Sequence, residues 1–140
     1  MIKTFNIGVK ALILNNNKIL ILKEIDIRRG NVELYDLPGG RMEEGESIKE
    51  TLKRELKEEL GIINYSLGPI IHAQIHPYYD INGTSFMLLF YKVDVKNSKI
   101  KLSTEHISFE WISKKDLQNI IKNKVKMHIA MKTALEKVLK

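Results

Sequence analysis

The segment from Ser47 to Gly61 restricts the fold most strongly, because both ends of a helix are marked within it. Ser47 and Glu50 have the three-residue spacing of a capping box at a helix start. Gly61 is suited to the left-handed conformation that ends many helices. Apolar residues recur between them at helical spacing, at Ile48, Leu52, Leu56 and Leu60. The sequence therefore predicts one amphipathic helix over about residues 47–60.

Strand patterns precede and follow this helix. Three consecutive asparagines at 15–17 separate two runs of β-branched and aliphatic residues, which predicts a hairpin, and Asn82-Gly83 predicts a second one. The predicted strands are Phe5–Leu14, Lys18–Lys23, a short one from Leu34, Ile70–His76, Ser85–Val95 and Phe109–Ile112. Two further helices are predicted at Lys114–Lys122 and Met127–Leu139. This order of elements predicts a mixed α/β fold, and 140 residues suit a single domain over 1–140.

Composition excludes several classes of protein. The chain has no cysteine, which rules out a disulfide framework, a thiolate metal site and a cysteine nucleophile. A hydrophobic fraction of 44% is ordinary for a globular protein. The longest apolar run, Phe86–Tyr91, is far shorter than the ~20 residues of a membrane span, and the N-terminus lacks a signal-peptide pattern. We therefore expect a cytoplasmic protein with no membrane partner.

Charge is distributed unevenly along the chain. The formal net charge is +6, yet residues 40–62 carry seven glutamates against five basic residues and sum to −2. An acidic cluster in a basic protein is one signature of a carboxylate metal site within a surface that attracts phosphates. A salt-bridged helix beside a solvated lysine surface produces the same pattern, so charge alone leaves both interpretations open.

Three carboxylates of the predicted helix crowd together. On a helical wheel Glu59 falls inside the apolar sector, Glu55 lies at its edge, and Glu58 is three residues from Glu55. Protonation, a neighbouring arginine such as Arg54 or a bound divalent cation would offset the repulsion among them. Magnesium prefers hard oxygen ligands, so this helix face predicts a magnesium site. An exposed helix with paired charges is the alternative.

A longer pattern includes these carboxylates and spans 23 residues. Its specified positions are Gly40, Glu46, Arg54, Glu55, Leu56, Glu58, Glu59, Gly61 and Ile62. At every one of them the chain resembles the signature of the Nudix hydrolase family. Leu37-Pro38-Gly39 before the pattern and the segment from Glu105 to Ile112 after it resemble the family more loosely.

The resemblance implies an α/β/α sandwich with a mixed β-sheet and a set of roles for matching residues. In such proteins three carboxylates and one backbone carbonyl hold divalent cations, and they match Glu55, Glu58, Glu59 and Gly40. The residue that matches Arg54 pairs with the one that matches Glu46 and orients the ligands. The implied cofactor is Mg²⁺, with Mn²⁺ as an alternative.

The resemblance also implies a reaction. The family cleaves a nucleoside diphosphate linked to another group X and releases a nucleoside monophosphate and phosphorylated X. Carboxylate-held magnesium suits this chemistry, because it neutralises the pyrophosphate and activates water without a covalent nucleophile. Several members have a glutamate in the loop that corresponds to the one containing Glu105. It serves there as an extra metal ligand or as the base that deprotonates the attacking water, so Glu105 is a candidate catalytic residue. Glu110 is expected to face solvent.

The sequence leaves the substrate open. Arg28, in a basic loop, and Tyr78 and Tyr79 are candidate substrate-binding residues. A proline beyond the pattern marks family members that act on ADP-ribose, and a tyrosine there marks those that act on dinucleoside polyphosphates. Pro77, followed by Tyr78 and Tyr79, provides both markers, which cancel, and a structural role in a turn explains them equally. Oxidised nucleoside triphosphates also stay open.

Two other functions are compatible with the chain. A catalytically silent nucleotide-binding sensor would usually carry a broken pattern, whereas this one is complete. An RNA-end pyrophosphohydrolase agrees with the net charge. However, the basic segment Lys114–Lys140 has no aromatic residue for base stacking, so a small nucleotide is the favoured substrate. We expect a monomer or a homodimer.

Overall fold

The strands and helices follow the order expected from the sequence. The computed structural model describes residues 1–27, 30–79, 83–96, 99–104, 106, 108–122 and 126–140, with the backbone alone at 77–79. The strands are β1 (Asn6–Asn15), β2 (Lys18–Asp26), β3 (Val32–Asp36), β4 (Gly39–Arg41), β5 (Ser66–Tyr79), β6 (Ser85–Asp94) and β7 (Ser108–Ser113). The helices are α1 (Ile48–Leu60), α2 (Lys114–Lys122) and α3 (Ile129–Leu139). Within these residues, none of the helices combines the length and apolar character needed to cross a membrane.

One mixed sheet organises the chain. Its order is β3-β2-β1-β6-β5, with β1 parallel to β6 and the neighbouring pairs antiparallel. The β1–β2 register covers the residues next to their turn, where Leu14 faces Ile19. Farther from the turn β1 pairs with β4 and β2 pairs with β7. The sheet therefore opens between β1 and β2, and β4 lies in the opening beside Gly8–Lys10.

Helices cover both faces of this sheet, because successive residues of β1 point to opposite sides. Leu12 and Leu14 belong to an apolar cluster that includes residues of α2 and α3. Ala11 and Ile13 belong to a second cluster that contains the apolar stripe of α1. The predicted α/β/α sandwich with a mixed sheet is confirmed.

Helix α1 agrees closely with the prediction, because its signals are local. Ser47 is the N-cap and shares a reciprocal capping box with Glu50, and Gly61 ends the helix with φ 68°. Leu52, Leu56 and Leu60 have no exposed surface. Burying three leucines stabilises this packing by several kcal/mol, at roughly 2 kcal/mol for each side chain. The helix is thus fixed on the sheet, and its glutamates have defined positions.

Two strands differ from the prediction. Strand β5 runs for 14 residues, twice the length of the predicted segment 70–76. Its pairing with β6 changes register between Leu67 and Ile70 and again between Ile70 and His72. Such irregularities interrupt the alternation of apolar and polar residues by which a strand is recognised in a sequence. Strand β4 was not predicted, since three residues that include two glycines carry no strand signal. It forms because β1 offers pairing partners.

Candidate active site

Arg54 links the acidic residues of the loop before α1 with those of the helix. Its Nε and Nη2 donate to the two carboxylate oxygens of Glu46 at 2.7 and 3.0 Å. Its Nη1 donates to Glu55 Oε1 at 2.9 Å and to Glu58 Oε2 at 3.4 Å. The Arg54 guanidinium holds the pKa of Glu46 at about 2, and the hydrogen bond to Glu46 raises the pKa of Arg54 further. Arg54 is therefore held in place by a bidentate salt bridge with Glu46 and is positioned to orient two helix glutamates.

The glycines of β4 lie against the carboxylates of α1. A Cβ added at Gly40 would overlap the Glu55 carboxylate, so a side chain at this position would displace that carboxylate. The Gly39 N–H donates to Glu59 Oε1 at 3.3 Å. Two glycines in sequence thus allow the backbone of β4 to approach two of the predicted ligand residues, and they place the backbone of Gly40 next to Glu55.

The three glutamates of the helix differ in exposure. The Glu58 side chain is 61% exposed, whereas those of Glu55 and Glu59 are 13% and 5% exposed. Burial, followed by the hydrogen bond and charge of the adjacent Glu55 carboxylate, raises the pKa of Glu59 well above its usual range. Glu59 Oε2 is buried and has no hydrogen-bond partner among the described residues. Two crowded carboxylates with an unpaired oxygen are a donor set that fits a divalent cation.

A group of largely buried ionisable residues lies on the other side of Glu59, and none of its members was predicted from sequence as a site residue. Lys10 Nζ contacts Asp36 Oδ1 at 3.3 Å and donates to the Leu37 carbonyl at 3.1 Å. His106 Nε2 lies 3.1 Å from Asp36 Oδ2, and His106 Nδ1 lies 3.8 Å from Glu59 Oε2. The one available sequence signal is Lys10, a charged residue within a strand of buried neighbours.

Asp36 is ionised within this group. Burial alone would raise the pKa of Asp36, but Lys10 and His106 hold it at about 2. Burial likewise disfavours the charged form of Lys10, yet the carboxylates of Asp36 and Glu59 raise its pKa above the ordinary value. An ionised carboxylate can only accept hydrogen bonds. His106 Nε2 is therefore the donor to Asp36, which leaves Nδ1 toward Glu59.

The predicted residues fall into two sets. Gly40, Glu46, Arg54, Glu55, Glu58 and Glu59 are brought together. Arg28 and Glu105 lie outside the described residues, and the side chains of Tyr78 and Tyr79 lie outside them as well. Glu110 is exposed on β7, as expected.

Comparisons with known proteins cover most of the chain. A family model described as NUDIX domain matches residues 4–135. The ADP-ribose pyrophosphatase of Methanocaldococcus jannaschii is 30% identical over 118 residues, which cover 83% of this chain and 64% of that protein. The nucleoside triphosphatase NudI of Escherichia coli O139:H28 is 28% identical over 116 residues, which cover 78% of this chain and 82% of that protein.

A solved structure extends the similarity to the whole fold. The crystal structure of the MutT protein from Methanosarcina mazei Go1 is 28% identical and superposes with a TM-score of 0.75, covering 98% of this chain and 94% of that one. The chain spans between 46% and 65% of the length of three curated relatives that it matches.

Proposed function

Because this chain belongs to the NUDIX domain family, we propose that it hydrolyses the pyrophosphate bond of a nucleoside diphosphate linked to another group X. The products are a nucleoside monophosphate and phosphorylated X, and the reaction depends on Mg²⁺ or Mn²⁺. The observation that carries the proposal is the pairing of the half-buried Glu55 with the buried Glu59 beside the glycines of β4. One Glu59 oxygen has no hydrogen-bond partner among the described residues.

The residues divide into ligands and positioning groups. Glu55, Glu58 and Glu59, with the Gly40 carbonyl, would hold the cation. When bound, magnesium supplies charge neutralisation at the pyrophosphate and a more acidic water. Arg54, paired with Glu46, keeps Glu55 and Glu58 directed toward the same space. The exposed Glu58 carboxylate borders solvent, from which the substrate arrives.

A turnover screen tests this proposal and identifies the substrate. Nucleoside triphosphates, oxidised nucleoside triphosphates, ADP-ribose, nucleotide sugars and dinucleoside polyphosphates are offered with Mg²⁺, and a triphosphorylated RNA provides a macromolecular arm. Products are identified by phosphorus NMR in ¹⁸O-labelled water, which shows the phosphorus atom attacked. Release of a nucleoside monophosphate that stops on chelation supports the proposal, and absence of turnover on every substrate contradicts it.

Cation binding is expected to stabilise the protein independently of substrate. A ligand that binds the folded state alone stabilises it by mass action, by about 2.7 kcal/mol at 100 times its Kd. For a domain of this size we expect Mg²⁺ or Mn²⁺ to raise Tm by about 5–10 °C. Calcium should also raise Tm but support little turnover, because its coordination is larger and looser. Thermal unfolding at increasing cation concentrations checks this, and equal kcat with calcium or a constant Tm would refute it.

Glu105 is proposed as a further ligand or as the base that deprotonates the attacking water. We expect Glu105→Gln to lower kcat at least tenfold with little change in KM, because it removes a charge from the cation cluster but leaves substrate contacts intact. Glu110→Gln is the matched control, since Glu110 is exposed on the neighbouring strand. Steady-state kinetics at saturating Mg²⁺ distinguish them, and the reverse ranking would overturn the assignment.

A further inference from the structure

Four side chains from different parts of the fold form a row of polar groups, the Lys10–Glu59 row, with three members buried and Lys10 14% exposed. Lys10 comes from β1, Asp36 ends β3, His106 precedes β7 and Glu59 lies near the end of α1. The contacts run from Lys10 to Asp36 at 3.3 Å, from Asp36 to His106 at 3.1 Å and from His106 to Glu59 at 3.8 Å. The Lys10–Glu59 row therefore leads from the sheet opening to a candidate cation ligand.

Hydrogen bonding is least complete at the Glu59 end of the Lys10–Glu59 row. His106 Nδ1 and Glu59 Oε2 are both buried without a hydrogen-bond partner among the described residues, and they face each other. Their separation of 3.8 Å is too long for a direct hydrogen bond, which needs about 3 Å. A small movement of the Glu59 carboxyl group would bring the two atoms within hydrogen-bond distance, and a proton on either of them would then complete the bond. Leaving two buried polar atoms unpaired is costly, so the arrangement favours a function for this gap.

The Lys10 end of the Lys10–Glu59 row cannot move easily. Asp36 Oδ1 accepts from the Leu37 N–H at 2.8 Å as well as from Lys10. The side chains of Lys10, Asp36 and His106 are 14%, 7% and 6% exposed. His106 is therefore fixed through Nε2 by a carboxylate that is itself fixed by a backbone amide and an ammonium.

A second cation site is the competing interpretation of the same region. Glu24, Asp36 and His106 each offer an atom within 4.8 Å of the others, which is a spacing that a metal ion could bridge. However, the Lys10 ammonium already neutralises Asp36 at 3.3 Å, and it would repel a cation bound there. The cluster is thus an internal ion pair with a histidine attached to it.

We propose that His106, fixed by Asp36 and Lys10, is a positioning residue that orients the Glu59 carboxylate and thereby sets the cation affinity of the site. The inference rests on the proposed function only in taking Glu59 as a cation ligand. Groups that orient ligand side chains in this way commonly change metal affinity or activity about 10- to 100-fold when they are removed. His106 would act through Glu59 and without contact to substrate.

Two substitutions of His106 separate its two contacts. His106→Gln can keep a donor near the Nε2 position for Asp36 but loses the nitrogen that faces Glu59. His106→Asn can keep a polar group near the Nδ1 position but loses the contact with Asp36. We expect His106→Gln to raise the Kd for Mn²⁺ at least tenfold, measured by electron paramagnetic resonance without substrate, and His106→Asn to retain part of the affinity. At saturating Mn²⁺ the KM of His106→Gln should stay within twofold of the parent.

A double variant tests the Lys10 end of the Lys10–Glu59 row. Lys10→Met with Asp36→Asn removes the ion pair while keeping similar volumes, and such replacements of buried pairs are often tolerated. We expect it to fold and to bind Mn²⁺ at least tenfold more weakly than the parent. Glu24→Gln is the matched control, because Glu24 lies close to Asp36 and His106 but is not a member of the Lys10–Glu59 row.

The outcomes distinguish this inference from the proposed function. Unchanged Mn²⁺ affinity in folded His106→Gln and in the double variant would overturn the positioning role and leave the hydrolase proposal intact. Loss of one bound Mn²⁺ from Glu24→Gln would show a second cation site instead and would also overturn it. A parent protein that binds no Mn²⁺ would overturn the cation site of the proposed function, and the positioning role with it.

Discussion

Replacement of Glu58 by glutamine is expected to lower kcat by about 100-fold or more while the free energy of unfolding stays nearly unchanged. The side chain is 61% exposed, and its contact with Arg54 is an i,i+4 surface pair at 3.4 Å. Exposed pairs of this kind contribute little to stability, and removing the charge also relieves repulsion with Glu55. In its proposed role as a cation ligand, however, Glu58 would supply an anionic oxygen that glutamine lacks.

The measurements for Glu58→Gln are kcat at saturating Mg²⁺ and urea unfolding of the metal-free protein. Glu44→Gln is the matched control, since Glu44 is an exposed glutamate of the preceding loop and the charge change is identical. We expect the control to keep both its activity and its stability. A Glu58→Gln protein with most of its activity would contradict the ligand assignment, and a parallel loss of stability would indicate a structural role.

Local signals explain why the helix and its carboxylates could be predicted. The capping box of Ser47 and Glu50, the leucine stripe and Gly61 all lie within 15 residues, so their spacing alone defines α1. The pairing of Arg54 with Glu46 was expected from the resemblance, and the two residues are in contact across eight positions of the chain. Short separations of this kind leave few alternative geometries.

Contacts between distant segments could not be predicted in the same way. Asp36 and His106 are 70 residues apart and meet because β7 pairs with β2 while β3 pairs with the same strand. No periodicity in the sequence reports which loop will face which strand end. Lys10 gave a partial signal, because a lysine among buried strand residues needs a buried partner, but its partner depends on the sheet order. The position of β4 in the sheet opening is hidden for the same reason.

Gly40→Ala is expected to lower kcat by about 10- to 100-fold through displacement of a single carboxylate. The added Cβ would overlap the Glu55 carboxylate, which is 13% exposed and held by Arg54 at 2.9 Å. Gly40 is not among the described glycines with positive φ, so alanine can adopt its backbone conformation and the effect is one of space. A displacement of about 1 Å at a reacting centre can cost about 100-fold in rate.

The stability of Gly40→Ala should fall only slightly, because the atoms that the added Cβ meets are the end of the flexible Glu55 side chain, which can move. Gly83→Ala separates this loss from the catalytic one. Gly83 has φ 77° with open space around its Cβ position, so alanine there strains the backbone without touching Glu55. We expect Gly83→Ala to lose stability, measured by urea unfolding, and to keep its kcat. If Gly40→Ala instead retained kcat within twofold, the position in which Arg54 holds the Glu55 carboxylate would not matter for turnover, and Glu58, Glu59 and the Gly40 carbonyl would have to account for cation binding.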